Sequence, residues 1–446
     1  MPKIVSHEII YWSIILISIF QMSSVLGQTS VVPHFPHFQM NRYDNLYQAP
    51  QPTIPNSPSS FQNIFIQKQN ELFVREVEEN ECKRAVANRQ HIVREYLKSD
   101  SIPLPDFSAT SGTECFHSAR KEILGMLEGK NAMSLKRAVF VTENAFFQNK
   151  MKYEEFDAAI QNLKHICQLK MQEQKLDEND ELAKLVMVFR VLSEVIEVKE
   201  PSSEKMIVHY PIKYDFDDYR AEVNTGNYMV SKLLNQNTGQ CHSMPLLFLI
   251  LAEEMNTEAF WCFFPSHSFI KFKDKQNRWY NIELTQSAVV TDDFYMNSGF
   301  IKSKAIQTGI YLNPQTTKQT IAHMLNDLSY YYISRYGYDR FVEENSNLVF
   351  YYAPSDLTTY QMHANVCTAQ AMYVIDVCGR PSKEQLPEYP YKLFKRMLQS
   401  YEKIDSLGYE EMLTEMYYNW LKQVDKAKTL PKINLHRSSN SKNKCI

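Results

Sequence analysis

Three side-chain types that together perform acyl chemistry fall within one short stretch: Cys241, His267 and Glu283. Cys241 follows Gly239-Gln240 and opens the apolar run CHSMPLLFLILAEEMN, which reads as a helix with Pro245 tolerated in its first turn. A thiol at a helix N-terminus faces unpaired N–H groups whose partial positive charge favours the thiolate. With a reference pKa near 8.5, a thiol is only about 3% ionised at neutral pH, and a neighbouring imidazolium makes the thiolate dominant. His267 opens HSFIKFK directly after Pro265-Ser266, and strand alternation puts His267, Phe269 and Lys271 on one face. On the following RWYNIEL, Trp279, Asn281 and Glu283 share a face, so a carboxylate can stand across an antiparallel pair from the imidazole. The order is that of nucleophile, base and orienter. With 12 histidines in 446 residues, spacing alone carries little; Cys at a helix start after a Gly, His at a strand start after a Pro, and an acid on the adjoining strand carry the argument. The plainer reading of the same residues is a buried free thiol with a surface His and a surface Glu.

The elements that must position these groups are a hydrophobic helix and three strands. EAFWCFF, HSFIKFK and RWYNIEL are split by Pro265-Ser266 and by Asp274-Lys275-Gln276-Asn277, which predicts an antiparallel meander against the helix. Residues 206–313 therefore read as an α+β core flanked by helical regions on both sides. The region 61–205 is helical by its spacing of apolar residues, with helices starting near Glu114, Ser134, Tyr153 and Asp180. Within it LAKLVMVFRVLSEVI is apolar around most of its circumference and predicts a buried helix. From 314 to 430 the chain is helical again. TIAHMLNDLSYYYISRYGYDRFVEEN and DLTTYQMHANVCTAQAMYVIDVCGRP are followed by a pair near 390–407 and 409–428, which predicts an αα-hairpin similar to a tetratricopeptide-type unit. The last residues, 431–446, read as a polar tail.

Charge and composition narrow the function. Lys plus Arg number 48 against 51 Asp plus Glu, a net of -3, without the basic excess of a nucleic-acid binder. Glycine occurs 11 times and forms no phosphate-binding loop. Ile9 to Phe20 is an apolar run followed by Ser23-Ser24-Val25-Leu26-Gly27, which predicts a signal peptide over 1–27 and a secreted or periplasmic chain, with a membrane anchor as the alternative. A proline-rich linker follows over 28–60. No later run is long enough to span a membrane. The eight cysteines make no disulfide framework, and in a continuous helix Cys367 and Cys378 would stand about 16 Å apart, beyond bridging distance. No Cys/His spacing of a zinc site occurs, and neither a metal nor a cofactor is expected. Cys262, inside FWCFF, reads as core. His242 is a weak base for Cys241, because consecutive helix residues do not face each other.

The strings NTGQCHSMPLLFLILAEEM, FPSHSFIKF and RWYNIELT resemble the transglutaminase-like (papain-like cysteine) superfamily over roughly 60–90 residues. The resemblance implies a papain-like core, a helix packed on an antiparallel sheet. It also implies acyl transfer from, or hydrolysis of, a peptide or amide by Cys241, His267 and Glu283. Glu283 stands where the family usually has Asp, and Asn281 on the same face is the alternative orienter. The backbone N–H of Cys241 would serve the oxyanion, with Gln240 and Asn235 as candidates for a second donor. The expected partner is a peptide or protein substrate. The rival reading is a catalytically inactive transglutaminase-like scaffold that binds a protein or peptide through its helices.

Overall fold

The computed structural model describes residues 102–202, 204–297, 301–412 and 415–420. The expected signal peptide, the proline-rich linker and the tail 431–446 lie outside the described residues. Four helices lead into the core: α1 (Thr113–Leu127), α2 (Leu135–Phe146), α3 (Tyr153–Glu173) and α4 (Glu181–Ser193). Their starts follow local chemistry. Ser134 caps α2 by accepting from Arg137 N at 3.2 Å, and Asp180 caps α4 by accepting from Leu182 N at 3.1 Å and Ala183 N at 3.3 Å. Helix α4 buries Leu185, Met187, Val188, Val191 and Leu192, but the helix expected to run through Ile196 ends at Ser193. Ile196 instead begins β1 (Ile196–Lys199), antiparallel to β2 (Met206–His209). His209 Nε2 then meets the Val191 carbonyl at 2.8 Å, satisfying one of the orphan acceptors at the end of α4.

The central element is α6 (Ser243–Glu254), whose residues from Ser243 to Ala252 are all buried. It packs against α2, α3, α4, the short α5 (Val230–Gln236), and strands β5 (Phe260–Phe264) and β6 (His267–Lys273). Carboxylates knit these helices end to end. Glu253 of α6 accepts from the first N–H groups of α2, Leu135 at 3.0 Å and Lys136 at 3.2 Å. Glu143 of α2 accepts from the first N–H groups of α5, Val230 at 2.7 Å and Ser231 at 2.9 Å. Each carboxylate answers four-residue arrays of unpaired donors that a neighbouring helix leaves open.

Strands β5, β6, β7 (Trp279–Glu283) and β8 (Ala288–Val290) form an antiparallel sheet in sequential order. The fold is thus α+β, with a meander laid on a buried helix. In the β6–β7 register Lys271 faces Asn281 and Ile270 faces Ile282. Continuing that register sets Glu283 opposite Phe269, one diagonal step from His267 and within reach of a long side chain. Two short helices follow, α7 (Asp292–Met296) and α8 (Ser303–Gln307), whose Tyr295 and Ala305 join Cys262, Phe264 and Phe269 of the sheet in one apolar cluster.

The expected run TIAHMLNDLSYYYISRYGYDRFVEEN is two helices, α9 (Thr317–Tyr336) and α10 (Arg340–Tyr352). Gly337 takes φ +90, a conformation that L side chains disfavour, and Asp339 caps the next helix by accepting from Phe341 N at 2.9 Å. Then come α11 (Leu357–Val377) and α12 (Glu388–Ser406), packed on each other. Cys367 and Cys378 are both free thiols. Beyond α12, Met412, Tyr417 and Trp420 join Phe264, Phe269 and Tyr295 in one apolar cluster, so the helical turn 415–420 lies on the sheet. Among the described residues, no helix is long and apolar enough to cross a membrane.

Candidate functional site

The site begins with a tight backbone. Gly239 pairs in parallel with Tyr214, and a Cβ at Gly239 would stand 2.7 Å from Leu233 Cδ1 and 2.9 Å from Ser243 Oγ. Only glycine fits there, and the chain then turns directly into α6. Gln240 is buried and shapes that turn: its N–H donates to Ser243 Oγ at 3.2 Å, and its Oε1 accepts from His242 N at 2.5 Å. The Cys241 carbonyl accepts from the Ser268 hydroxyl, which itself accepts from the Trp261 indole at 2.7 Å. The nucleophile's backbone is thereby clamped to the strand that carries His267.

His267 is held on both ring nitrogens. Nε2 meets Glu283 Oε2 at 2.8 Å, and Nδ1 meets the Tyr417 hydroxyl at 3.0 Å. Glu283 is itself fixed, accepting from Tyr295 Oη at 2.9 Å and from Thr285 N at 3.1 Å. His267 and Glu283 are buried and Cys241 is partly exposed. Trp420 lies edge-on to the imidazole with ring centroids 4.9 Å apart, and Tyr417 also reaches Tyr214 Oη at 3.3 Å. Sequence reasoning singled out Cys241, His267 and Glu283 but gave no role to Ser268, inside FPSHSFIKF, or to Tyr214, Tyr295, Tyr417 and Trp420, which lie outside the quoted strings.

The charges support one another. Burial disfavours the Cys241 thiolate, yet hydrogen bonding and charge from His267 hold its pKa below the usual thiol value. Burial likewise opposes the imidazolium of His267, and the Glu283 carboxylate with the Cys241 thiol overcomes it, raising that pKa well above the ordinary one. Glu283 stays below the carboxylate norm because the charge of His267 outweighs its burial. Where no such partner exists, burial wins: Cys167 is pushed up to about 12, and Cys262 higher still.

The other predicted groups sit elsewhere. Asn281 donates to Asp292 Oδ1 at 2.9 Å beside the Lys271–Asp292 ion pair of 2.8 Å, and it is Glu283 that meets the imidazole. Asn235 is exposed on α5, whereas Gln240 is buried directly before Cys241, its amide oxygen in the turn and its NH2 the group that would donate.

A second cluster lies next to the first. His242 points Nδ1 at the Tyr228 carbonyl, 3.0 Å, and Nε2 at Asp327, 3.1 Å to Oδ2. His323, one helical turn before Asp327 on α9, meets Asp356 Oδ2 through Nδ1 at 2.5 Å. One ligating atom each from His242, His323 and Asp327 lies within 4.8 Å of the others, a grouping that the sequence spacing did not suggest. Burial opposes charge on both rings, and the carboxylates prevail: Asp327 raises His242, and Asp356 raises His323.

No family model, curated protein or solved structure matches the chain.

Proposed function

We propose that this chain carries out thiol-dependent acyl transfer or hydrolysis on peptide or amide substrates, with a transglutaminase-like, papain-like core built around Cys241, His267 and Glu283. The observation that carries the reading is the His267 ring, tied to Glu283 by Nε2 at 2.8 Å, on a strand whose Ser268 holds the Cys241 carbonyl; the charge of His267 draws the Cys241 pKa below the usual thiol value. In the proposed reaction the Cys241 thiolate forms a bond to the amide carbonyl carbon, and the carbonyl electron pair moves to oxygen. The Cys241 N–H steadies that oxyanion. On collapse the C–N bond breaks, and the His267 imidazolium gives its proton to the departing amine. Water or a second amine, losing its proton to the now neutral ring, displaces the thiol from the thioester. Glu283 orients the ring and stabilises its charged form. A secreted or periplasmic location rests on the leader sequence and belongs to the same proposal.

Tyr417 and Trp420 cover the imidazole in this conformation. The same cover favours a second reading, a scaffold that binds a peptide or protein without turnover. A peptidyl chloromethyl ketone separates the two. The enzyme reading predicts alkylation at Cys241 alone, lost in Cys241→Ala and strongly slowed in His267→Ala. Peptide mapping that finds the probe scattered over other cysteines, or absent from Cys241, rejects it in favour of the scaffold.

A further inference from the structure

The cluster around Asp327 has the chemistry of a metal site, independently of the thiol. His323 and Asp327 stand at i and i+4 on α9, so their side chains share one helix face. His242 comes from the turn that opens α6, 85 residues away in sequence from Asp327. Each imidazole is held from behind by a group that can only accept, the Tyr228 carbonyl at 3.0 Å for His242 and the Asp356 carboxylate at 2.5 Å for His323. Both Nδ1 atoms therefore carry hydrogen, and both rings present Nε2 to the same carboxylate. Such outward anchoring by a carbonyl or carboxylate is the usual support of a metal-ligating histidine.

Of the two Nε2 contacts to Asp327, that of His242 is a hydrogen bond and that of His323 is not. His323 Nε2 lies 3.8 Å from Asp327 Oδ1 and His242 Nε2 lies 3.1 Å from Oδ2. The first is too long for a hydrogen bond, whereas two ligands on one tetrahedral zinc stand about 3.3 Å apart. Charge points the same way. Asp327 and Asp356 are largely buried, and among the described residues their ion-pair partners are these two imidazoles, with no Lys or Arg. With both rings neutral, as ligation requires, the two carboxylates leave a charge that one dication cancels.

We propose that His242 Nε2, His323 Nε2 and the Asp327 carboxylate bind a first-row divalent transition-metal ion, zinc or ferrous iron. Two imidazoles and one carboxylate are a ligand set for either ion and leave coordination positions open. The ion joins the start of α6 to α9, and Asp356 is a positioning residue acting through His323. The test takes the full-length chain, strips it with a chelator, and titrates it separately with Zn2+ in air and with Fe2+ under argon. Bound metal is read by elemental analysis after desalting. About one equivalent of at least one ion is expected to bind. Asp327→Asn and His323→Gln should each weaken binding roughly tenfold or more, and Asp356→Asn should weaken it about 10–100-fold while leaving the ligands in place. Cys241→Ala should keep the full equivalent, which separates this site from the thiol. Far-UV circular dichroism identifies any variant that fails to fold, and Asp356→Asn, the mildest change, then decides. No binding above background for either ion, or unchanged affinity in folded Asp327→Asn or Asp356→Asn, would overturn the site and leave a buried ion-pair network.

Discussion

Cys241 and His242 are consecutive residues, yet they serve two clusters of opposite design. Around Cys241 a single imidazole lies between one carboxylate, Glu283, and the Tyr417 hydroxyl, and the Trp420 ring packs against it. Around His242 two imidazoles converge on one carboxylate, and a second carboxylate and a backbone carbonyl hold them from outside. The first arrangement anchors one nitrogen on a carboxylate and the other on a neutral hydroxyl, so the proposed proton transfer would run through the hydroxyl-bound Nδ1. The second fixes both rings through Nδ1 and aims both Nε2 atoms at one point, as ligation requires. A histidine–carboxylate contact is common to both. What distinguishes them is which nitrogen is anchored and what the other one faces.

Perturbing each partner in turn sharpens that contrast, from the largest effect down. His267→Ala removes the cation that favours the thiolate. At pH 6.5 a thiol with an ordinary pKa is only about 1% ionised, and because a low-pKa thiolate is also less nucleophilic, iodoacetamide labelling of Cys241 should slow by roughly 10–100-fold. Next comes Glu283→Gln. It keeps acceptors for Tyr295 and Thr285 but removes the charge that raises His267. The ring then loses its proton at lower pH, so the thiolate–imidazolium state narrows from its alkaline side. Turnover with a peptide amide should fall about tenfold, with the alkaline limb of the pH profile moved down. Tyr417→Phe deletes a hydrogen bond that helps lower the Cys241 pKa and keeps the covering ring. Labelling at pH 6.5 should slow by about threefold. Asp327→Asn acts on Cys241 only through the weaker charge of His242. It should slow labelling by about twofold, and an effect as large as that of His267→Ala would mean that the two clusters are one.

The adjoining Glu143 offers a stability test of the same electrostatics. Burial raises its pKa to about 7 in the folded chain, against an ordinary 4.5. The folded state therefore holds a proton that the unfolded state has lost between those values, and stability should fall as pH rises from 4.5 to 7. Below that window the penalty is absent, and above it the penalty is complete. A thermal melt series should show this decline, and Glu143→Gln should flatten it.

Much of the α+β core was legible because its signals are local. The Pro265-Ser266 break and the alternation in HSFIKFK and RWYNIEL mark strands that fold as Phe260–Phe264, His267–Lys273 and Trp279–Glu283. Ser134 and Asp180 start helices because their side chains answer donors two or three residues ahead. Alternation also placed Asn281 and Glu283 on one face, but only the register, Lys271 against Asn281, decides which reaches His267. Gly337 was visible inside a helical run. Its positive φ, followed by the Asp339 cap, is what divides α9 from α10. Tyr417, 150 residues beyond His267, and the meeting of His242 with His323 and Asp327 depend on tertiary packing that no short window contains.

The pH–rate profile of Cys241 alkylation by iodoacetamide, followed residue by residue by mass spectrometry on the full-length chain, tests the central assignment most directly. A thiolate held by His267 predicts rapid labelling that persists below pH 7 and disappears from that range in His267→Ala. Labelling that rises only with the ordinary titration of a free thiol, identical in wild type and His267→Ala, would contradict it.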